Sequence, residues 1–286
     1  MSRVYFTKDL TGAGLIKIYK ALNFDFQGNI GIKIHSGEKG NPNYLKADYI
    51  KPLIDIINGT IIECNTAYEG ERNTTEKHLK LMEEHGFSKL YKVDILDSIS
   101  DTKLKVKNGK HLKYNYVGSN LLNYDELVVL SHFKGHPMGG FGGALKNISI
   151  GLASSYGKAI IHGAGDKDKI WTSNHDDFLE SMAEAASTIM DLKKDKIVFI
   201  NVMKDMSVDC DCCKVAEEPK IKDIGILASY DPVALDKACL DLVYSSTDSN
   251  KKDLIERIES RNGMLTVLTA NNLGVGSLEY ELIDID

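Results

Sequence analysis

Residues 127–147 read LVVLSHFKGHPMGGFGGALKN. The first four residues are an apolar run without a polar interruption, which is typical of a central strand covered on both faces. This strand leads directly into His132 and the polar residues that follow it. In open α/β sheets, ligands bind at the carboxyl ends of strands. The stretch therefore predicts an α/β fold with a functional site at this strand end.

On both sides of this stretch, short apolar runs alternate with longer amphipathic ones, the pattern of βα units. A helix is expected to begin near Asp48 and end at Gly59, and another, with Leu79, Leu81 and Met82, to stop at Gly86. Helices are also predicted at 144–155, 176–190, 231–243 and 251–260. Strands are predicted at 29–35, 60–64, 197–203, 223–228, 264–269 and 278–285, the last at a sheet edge.

The length of 286 residues exceeds one average domain. We therefore predict a two-lobed α/β protein with mixed sheets flanked by helices and a cleft between the lobes. The N-terminal lobe would span 1–190 and the C-terminal lobe 191–286, with a single domain as the alternative.

The composition indicates an ordinary globular protein, because 43% of the residues are hydrophobic, 27% are charged and the net charge is −6. Lysines are scattered without a basic stripe, so no nucleic-acid partner is expected. The first residues lack a signal-peptide pattern, and no apolar run is long enough to span a bilayer. Five cysteines, an odd number, do not indicate a disulfide framework. We expect a cytoplasmic protein with reduced thiols, no membrane partner and a small-molecule substrate.

His136, Lys146 and His162 stand at fixed intervals on either side of a glycine-rich turn. Histidine moves protons and ligates metals, and lysine forms covalent adducts. We predict that they converge on one site, although a structural role for the histidines and a solvated Lys146 are the alternatives. Glycines allow close backbone approaches to a ligand. The predicted cofactor-binding residues are His132, Gly139, Gly140, Gly142, Gly143 and Lys146.

Residues 209–213 read DCDCC, which places three thiols within four positions. Thiolates bind soft or borderline metals, although tetrahedral zinc and cubane clusters normally have four protein ligands. A tight turn with a vicinal dithiol is the alternative. His78, His85 and His175 fall in or beside predicted surface helices and are expected to be solvated.

Five segments together resemble the family known as domain of unknown function 362, whose members are often labelled uncharacterised iron–sulfur centre proteins. They are IGIKIHSGEKGN, ECNTAYEGERN, LSHFKGHPMGGFGGALKN, DCDCC and DIGILASYDPVALD. Many members carry a ferredoxin-like insert after the position of His162. Residues 163–177 contain no cysteine, so the resemblance implies no ferredoxin-type relay here.

The spacing H-x9-K-x15-H is also similar, more distantly, to the lactate racemase family, which has a nickel-pincer cofactor. That resemblance implies a lactate racemase-like fold. It also implies that His136 is a catalytic acid or base, Lys146 the covalent cofactor anchor and His162 a metal ligand.

Together these observations predict an enzyme that binds a transition metal or an iron–sulfur cluster and performs redox or proton-transfer chemistry. His136 and Lys146 are the predicted catalytic residues, and the predicted metal ligands are His162, Cys210, Cys212 and Cys213. An isomerase or racemase with a nickel-pincer-like cofactor on Lys146 is one alternative. A non-catalytic metal or sulfur carrier is the other.

Overall fold

The computed structural model describes residues 1–286 and contains twelve strands. They are β1 (Ser2–Thr7), β2 (Ile30–Lys33), β3 (Thr60–Glu63), β4 (Val93–Ile95), β5 (Asp101–Lys105), β6 (Tyr114–Gly118), β7 (Glu126–His132), β8 (Lys134–His136), β9 (Gly140–Gly142), β10 (Ile197–Met203), β11 (Gly225–Ser229) and β12 (Tyr280–Asp284).

Ten α-helices connect or flank the strands. They are α1 (Gly12–Ala21), α2 (Ala47–Ile57), α3 (Thr75–Glu84), α4 (Phe87–Leu90), α5 (Ala144–Ser149), α6 (Ser155–His162), α7 (His175–Lys193), α8 (Pro232–Ser245), α9 (Lys251–Ser260) and α10 (Met264–Asn272). None of these helices combines the length and the apolar character that crossing a membrane requires.

Eight strands form one mixed sheet in the order β12-β1-β11-β10-β7-β2-β3-β4. Five neighbouring strands of this sheet, β10, β7, β2, β3 and β4, run parallel to one another. Strand β11 is antiparallel to both of its neighbours, β10 and β1. Strand β7 lies inside the sheet, and all seven of its residues are buried. The predicted α/β class, with a mixed sheet flanked by helices, is confirmed.

Alternating residues of the central strands pack into two separate hydrophobic cores. Leu127 and Val129 of β7 belong to a core with α5, α7 and α8. Val128 and Leu130 belong to a core with α1 and α2 on the opposite face. The continuous apolar run therefore reflects a strand covered by helices on both faces.

The predicted division at residue 190 falls between β7 and β10, which are adjacent parallel strands pairing Leu127 with Ile197. Strands from both ranges consequently share one hydrogen-bonded sheet.

Three predicted elements differ from the structure. The predicted strand at 264–269 is wrong, because it lies in α10, whose buried residues Thr266, Val267 and Ala270 form one helical face. A short apolar run does not by itself distinguish a strand from a buried helix. The helix predicted at 144–155 is two helices, α5 and α6, and Ser154 caps the second. The last residue of helix α2 is Ile57, and the left-handed residue that caps it is Asn58, one position before Gly59.

Candidate functional site

Three neighbouring parallel strands end at the floor of one cavity. The last residues of β2, β3 and β7 are Lys33, Glu63 and His132, and all three line it. Parallel strands end at the same edge of a sheet, so residues distant in sequence meet there. The cavity lies at the strand end where the sequence predicts a site.

Most of the predicted site residues line this cavity. They are His132, His136, Gly142, Gly143, Lys146, His162 and Cys212. Gly139, Gly140, Cys210 and Cys213 do not line it, although Cys210 lies directly behind Cys212. The structure therefore brings together the histidines, the lysine and one thiol that the sequence singles out.

His136 ends β8, and its ring is oriented by the turn that follows. Its Nδ1 accepts hydrogen bonds from the backbone N–H groups of Met138, at 3.2 Å, and Gly139, at 2.8 Å. Because Nδ1 accepts, the proton of the neutral ring is on Nε2. Burial, followed by the nearby charge of Lys146, lowers the pKa of His136 to about 4. His136 is thus a neutral imidazole that presents an N–H group.

The glycine-rich turn after His136 requires glycine for reasons of backbone conformation and space. Gly140, the first residue of β9, has a φ of +76°, in the left-handed region. A Cβ there would lie 2.8 Å from the Cα of Gly263. The turn therefore needs glycine at this position, both for its conformation and for the close approach of the segment after α9.

His162, the last residue of α6, has the opposite hydrogen-bonding pattern. Its Nδ1 lies 2.7 Å from the carbonyl oxygen of Lys158 and donates a proton to it. The ring stacks on Phe178 with 4.9 Å between centroids. Burial lowers the pKa of His162 to about 4, and Lys146 adds to this shift. Its Nε2 therefore carries a free lone pair, as a proton acceptor or a metal ligand requires.

His132 is engaged on both sides of its ring. Nδ1 lies 3.0 Å from the carboxylate oxygens of Asp211, and Nε2 lies 2.7 Å from the carbonyl oxygen of Lys204. Asp211 also pairs with Lys134 at 3.1 Å. With both nitrogens occupied, His132 ties the DCDCC loop to the end of β7 and keeps no free nitrogen for a ligand.

Lys146 is the third residue of α5, and a carboxylate from a neighbouring helix fixes the start of α5. The carboxylate of Asp236, on α8, accepts hydrogen bonds from the backbone N–H groups of Ala144 and Leu145 at 2.7 and 2.9 Å. A Cβ on Gly143 would lie 2.3 Å from Asp236 Oδ1, so only glycine fits this approach. The Asp236 carboxylate thereby sets the position of Lys146.

Two thiols and a histidine form a compact donor cluster beside the cavity. One ligand atom from each of His136, Cys210 and Cys212 lies within 4.8 Å of the others. Cys213 and His162 are outside this cluster. All five cysteines are free thiols; the buried Cys64 lines the cavity without joining this cluster, and Cys239 is buried away from it. The structure therefore groups two cysteines with His136, whereas a cubane cluster normally has four thiolates.

A buried ionic network that includes two residues of the cavity lining was not predicted from the sequence. His78 was expected in solvent but is fully buried, and its Nε2 lies 3.1 Å from Glu63 Oε2. It occupies the buried face of α3 with Leu81 and Met82, whereas Leu79 is exposed. Arg72, also buried, pairs with Glu38 and Glu63.

The other two histidines expected in solvent are half-buried. His85 stacks on Tyr44 and His175 bonds to the carbonyl oxygen of Arg261. His35 is half-buried and lines the cavity.

Three further lysines line the cavity and were also missed: Lys33, Lys134 and Lys158. Lys33 was detectable in principle, since a lysine that ends an apolar parallel strand lies at the ligand-binding edge. Lys158 and Arg72 carry no comparable signal, because only the packing of α6 and of the segment after β3 places them there.

Comparison with known proteins identifies the family and gives two structural likenesses. No protein of curated function matches the sequence. The lactate racemase apoprotein from Thermoanaerobacterium thermosaccharolyticum is 16% identical, with a TM-score of 0.41 over 69% of this chain and 50% of that chain. A protein from Thermotoga maritima is 12% identical, with a TM-score of 0.47 over 88% of this chain and 58% of that chain. This chain thus spans between half and three fifths of the length of these two proteins.

The family profile described as domain of unknown function 362 (DUF362) matches residues 30–241. This range includes all five segments that carry the resemblance, the cavity and the DCDCC loop. The chain belongs to the DUF362 family.

Proposed function

We propose that this protein is an enzyme that transfers a proton on a small molecule bound in the cavity, in an isomerase-type reaction. The observation that supports it is the opposite hydrogen bonding of two histidine rings in one cavity. Nε2 of His162 has the lone pair of a base, and Nε2 of His136 carries the proton of a donor. Each role follows from the backbone group that occupies the other nitrogen.

Lys146 supplies the electrostatic part of this chemistry. Lys33, Lys134 and Lys158 each donate hydrogen bonds to acceptors of the protein, whereas Lys146 lines the cavity without such a partner. When a base removes a proton from carbon, negative charge develops on the substrate. An ammonium held in a site of low dielectric stabilises that charge. The N–H of His136 donates to the same charge.

The test is hydrogen–deuterium exchange, which needs no knowledge of the product. The protein is incubated in deuterium oxide with a panel of small hydroxy acids, keto acids and sugar phosphates, and proton NMR follows the loss of carbon-bound hydrogen. We expect exchange with one chemical class. His162→Ala and His136→Ala are expected to lower its rate by about 10²- to 10⁴-fold each.

The control is His175→Ala, a half-buried histidine away from the cavity, which is expected to retain the rate. Exchange that persists in His162→Ala would overturn the assignment of the base.

A metal centre beside this machinery is a second candidate, and the His136, Cys210 and Cys212 cluster favours it. Sulfur and imidazole donors suit zinc, iron, nickel or copper. Nδ1 of His136 accepts hydrogen bonds and Nε2 carries the ring proton, so neither nitrogen has a free lone pair for a metal. The two thiolates are therefore the better ligands of the three. Elsewhere in the cavity lining, His162 presents a free nitrogen and Lys146 an amine. A lysine-tethered nickel-pincer-like cofactor fits these two residues and would supply the metal ion.

Protein purified anaerobically is expected to contain about one equivalent of a transition metal by mass spectrometry of the elements. Cys210→Ser and Cys212→Ser are expected to lose most of it, since each removes one thiolate. Cys213→Ser, outside the cluster, is expected to keep it. Intact mass of protein from its native host tests the tether on Lys146. Metal-free, unmodified protein would exclude both forms of the metal candidate.

A further inference from the structure

The cavity is lined by an excess of positive charge, of which the proposed chemistry uses only Lys146. Five cationic side chains face it from separate elements: Lys33, Arg72, Lys134, Lys146 and Lys158. The lining contains one carboxylate, that of Glu63. Four of the five cationic residues are buried, and Lys146 is half-buried. Such a concentration of buried cations is uncommon, because each loses hydration on burial.

The carboxylates near the cavity neutralise only two of these cations. Arg72 pairs with Glu38 at 3.2 Å, and Lys134 pairs with Asp211 at 3.1 Å. The remaining negative charge, on Glu63, lies 3.1 Å from His78 and 3.9 Å from Arg72. Each of these three carboxylates therefore already has an ionic partner other than Lys33, Lys146 or Lys158.

The other three ammonium groups have only neutral partners or none. Lys33 donates to the carbonyl oxygen of Ile34 and to Asn147 Oδ1, the latter at 2.9 Å. Lys158 donates to the carbonyl oxygen of Ala153 at 2.6 Å. Lys146 engages no acceptor of the protein. Buried charges without a paired counter-ion are costly, so an anion in the cavity would stabilise these three ammonium groups.

We infer that the cavity binds a small organic molecule with at least two negative charges, on carboxylate or phosphate groups. Three ammonium groups on β2, α5 and α6 surround the space and can each meet one anionic group. This inference names the substrate class of the proposed enzyme and, for catalysis, rests on that proposal. Binding itself depends only on the charges.

Apolar side chains at the mouth of the cavity support a ligand with an organic body. Trp171 and Ile170 line it together with Tyr68, and the rings of Trp171 and Tyr68 are 6.4 Å apart. Trp171 is 65% exposed, an unusual position for the largest apolar side chain. An apolar wall opposite the ammonium groups suits a carbon skeleton whose charged ends point inward.

Trp171 also provides the readout, because it is the only tryptophan of the chain. Its fluorescence is titrated with citrate, pyrophosphate and acetate at constant ionic strength. We expect saturable binding of citrate or pyrophosphate and at least about tenfold weaker binding of acetate, which has a single charge. Preference between citrate and pyrophosphate distinguishes carboxylate from phosphate recognition. Equal, non-saturable responses to all three would overturn the inference.

Variants identify the groups responsible. Lys33→Met, Lys146→Met and Lys158→Met are each expected to weaken binding about tenfold, since each removes one charged hydrogen-bond donor. Lys107→Met, an exposed lysine paired with Asp191, is the matched control and is expected to bind as the unaltered protein does. Lys146 is half-buried, so its variant is expected to fold even if the two buried lysines do not tolerate methionine. Unaltered affinity in Lys146→Met would count against the inference.

The two proposals fail separately. His162→Ala is expected to abolish deuterium exchange but to retain citrate or pyrophosphate binding, because its ring is neutral. Anion binding without exchange on any substrate would refute proton transfer and leave the ligand class standing. Exchange on an uncharged substrate without anion binding would refute the ligand class and leave proton transfer standing.

Discussion

At the residue scale, the backbone decides what each histidine of the cavity can do. His136 is buried, His162 is half-buried, and loss of solvent around the rings lowers the pKa of each to about 4, so both are neutral. They differ because backbone N–H groups occupy Nδ1 of one ring, and a backbone carbonyl occupies Nδ1 of the other. His132 has no free nitrogen at all. Three identical side chains thus acquire three different chemical capacities from their immediate neighbours.

Ionisation of Lys33 is expected to make ligand binding depend on pH. Burial lowers the pKa of its ammonium to about 8. Glu63 and Cys64 face it and raise the pKa, whereas Lys146 and Lys158 lower it. A bound anion favours the protonated form, so affinity is expected to be highest below that pKa and to fall as the pH rises through about 8. Fluorescence titration with citrate between roughly pH 7 and 9.5 measures the change.

Lys33→Met is expected to remove this step in the pH profile, while Lys107→Met retains it. Citrate affinity that does not change across this range in the unaltered protein would contradict the role given to Lys33.

At the element scale, α5 depends on a residue ninety positions away along the chain. The helix has six residues, too few for independent stability in water. Asp236 satisfies two of its first backbone N–H groups and also accepts from Asn201 at 2.8 Å. The second aspartate of the DPVALD segment therefore serves the site by positioning α5, without contacting the cavity.

Replacing Asp236 with alanine is expected to lower the free energy of unfolding by at least about 2 kcal/mol. The substitution leaves two buried backbone donors without an acceptor and leaves the Asn201 amide with only its 3.5 Å contact to Cys239 Sγ. Each unsatisfied buried donor costs about 1–3 kcal/mol. Urea denaturation followed by circular dichroism measures the change. Asp253→Ala, which removes an exposed carboxylate, is expected to change the free energy of unfolding by less than about 0.5 kcal/mol. Equal midpoints for both variants would show that Asp236 does not hold α5.

Several elements were predictable because their signals are local. Asp231-Pro232 marks the start of α8, where Asp231 caps two backbone N–H groups. The polar face of α9 predicts its limits, Lys251–Ser260. Residues 264–269 were mispredicted because their burial in α10 depends on packing against α7. Local patterns report hydrogen bonding and capping well, whereas they report burial only where its period is unambiguous.

At the scale of the whole molecule, the cavity is an assembly of segments that are far apart in sequence. Strands β2, β3 and β7 bring Lys33, Glu63 and His132 to one edge of the sheet. The DCDCC loop reaches the same edge after β10 and is tied there through Asp211. Strand order and loop path decide these contacts, and neither is encoded in any single segment.

The sequence by itself determined the α/β class, the family and the buried strand β7, and it predicted that His136, Lys146 and His162 meet at one cavity. These follow from periodicity, spacing and motif order, which are properties of short stretches. Only the tertiary structure decided that Cys210 and Cys212 join His136, that His78 is buried on Glu63, and that three lysines lack a counter-ion. Those features depend on distances between remote segments, because burial and charge pairing are properties of the packed molecule.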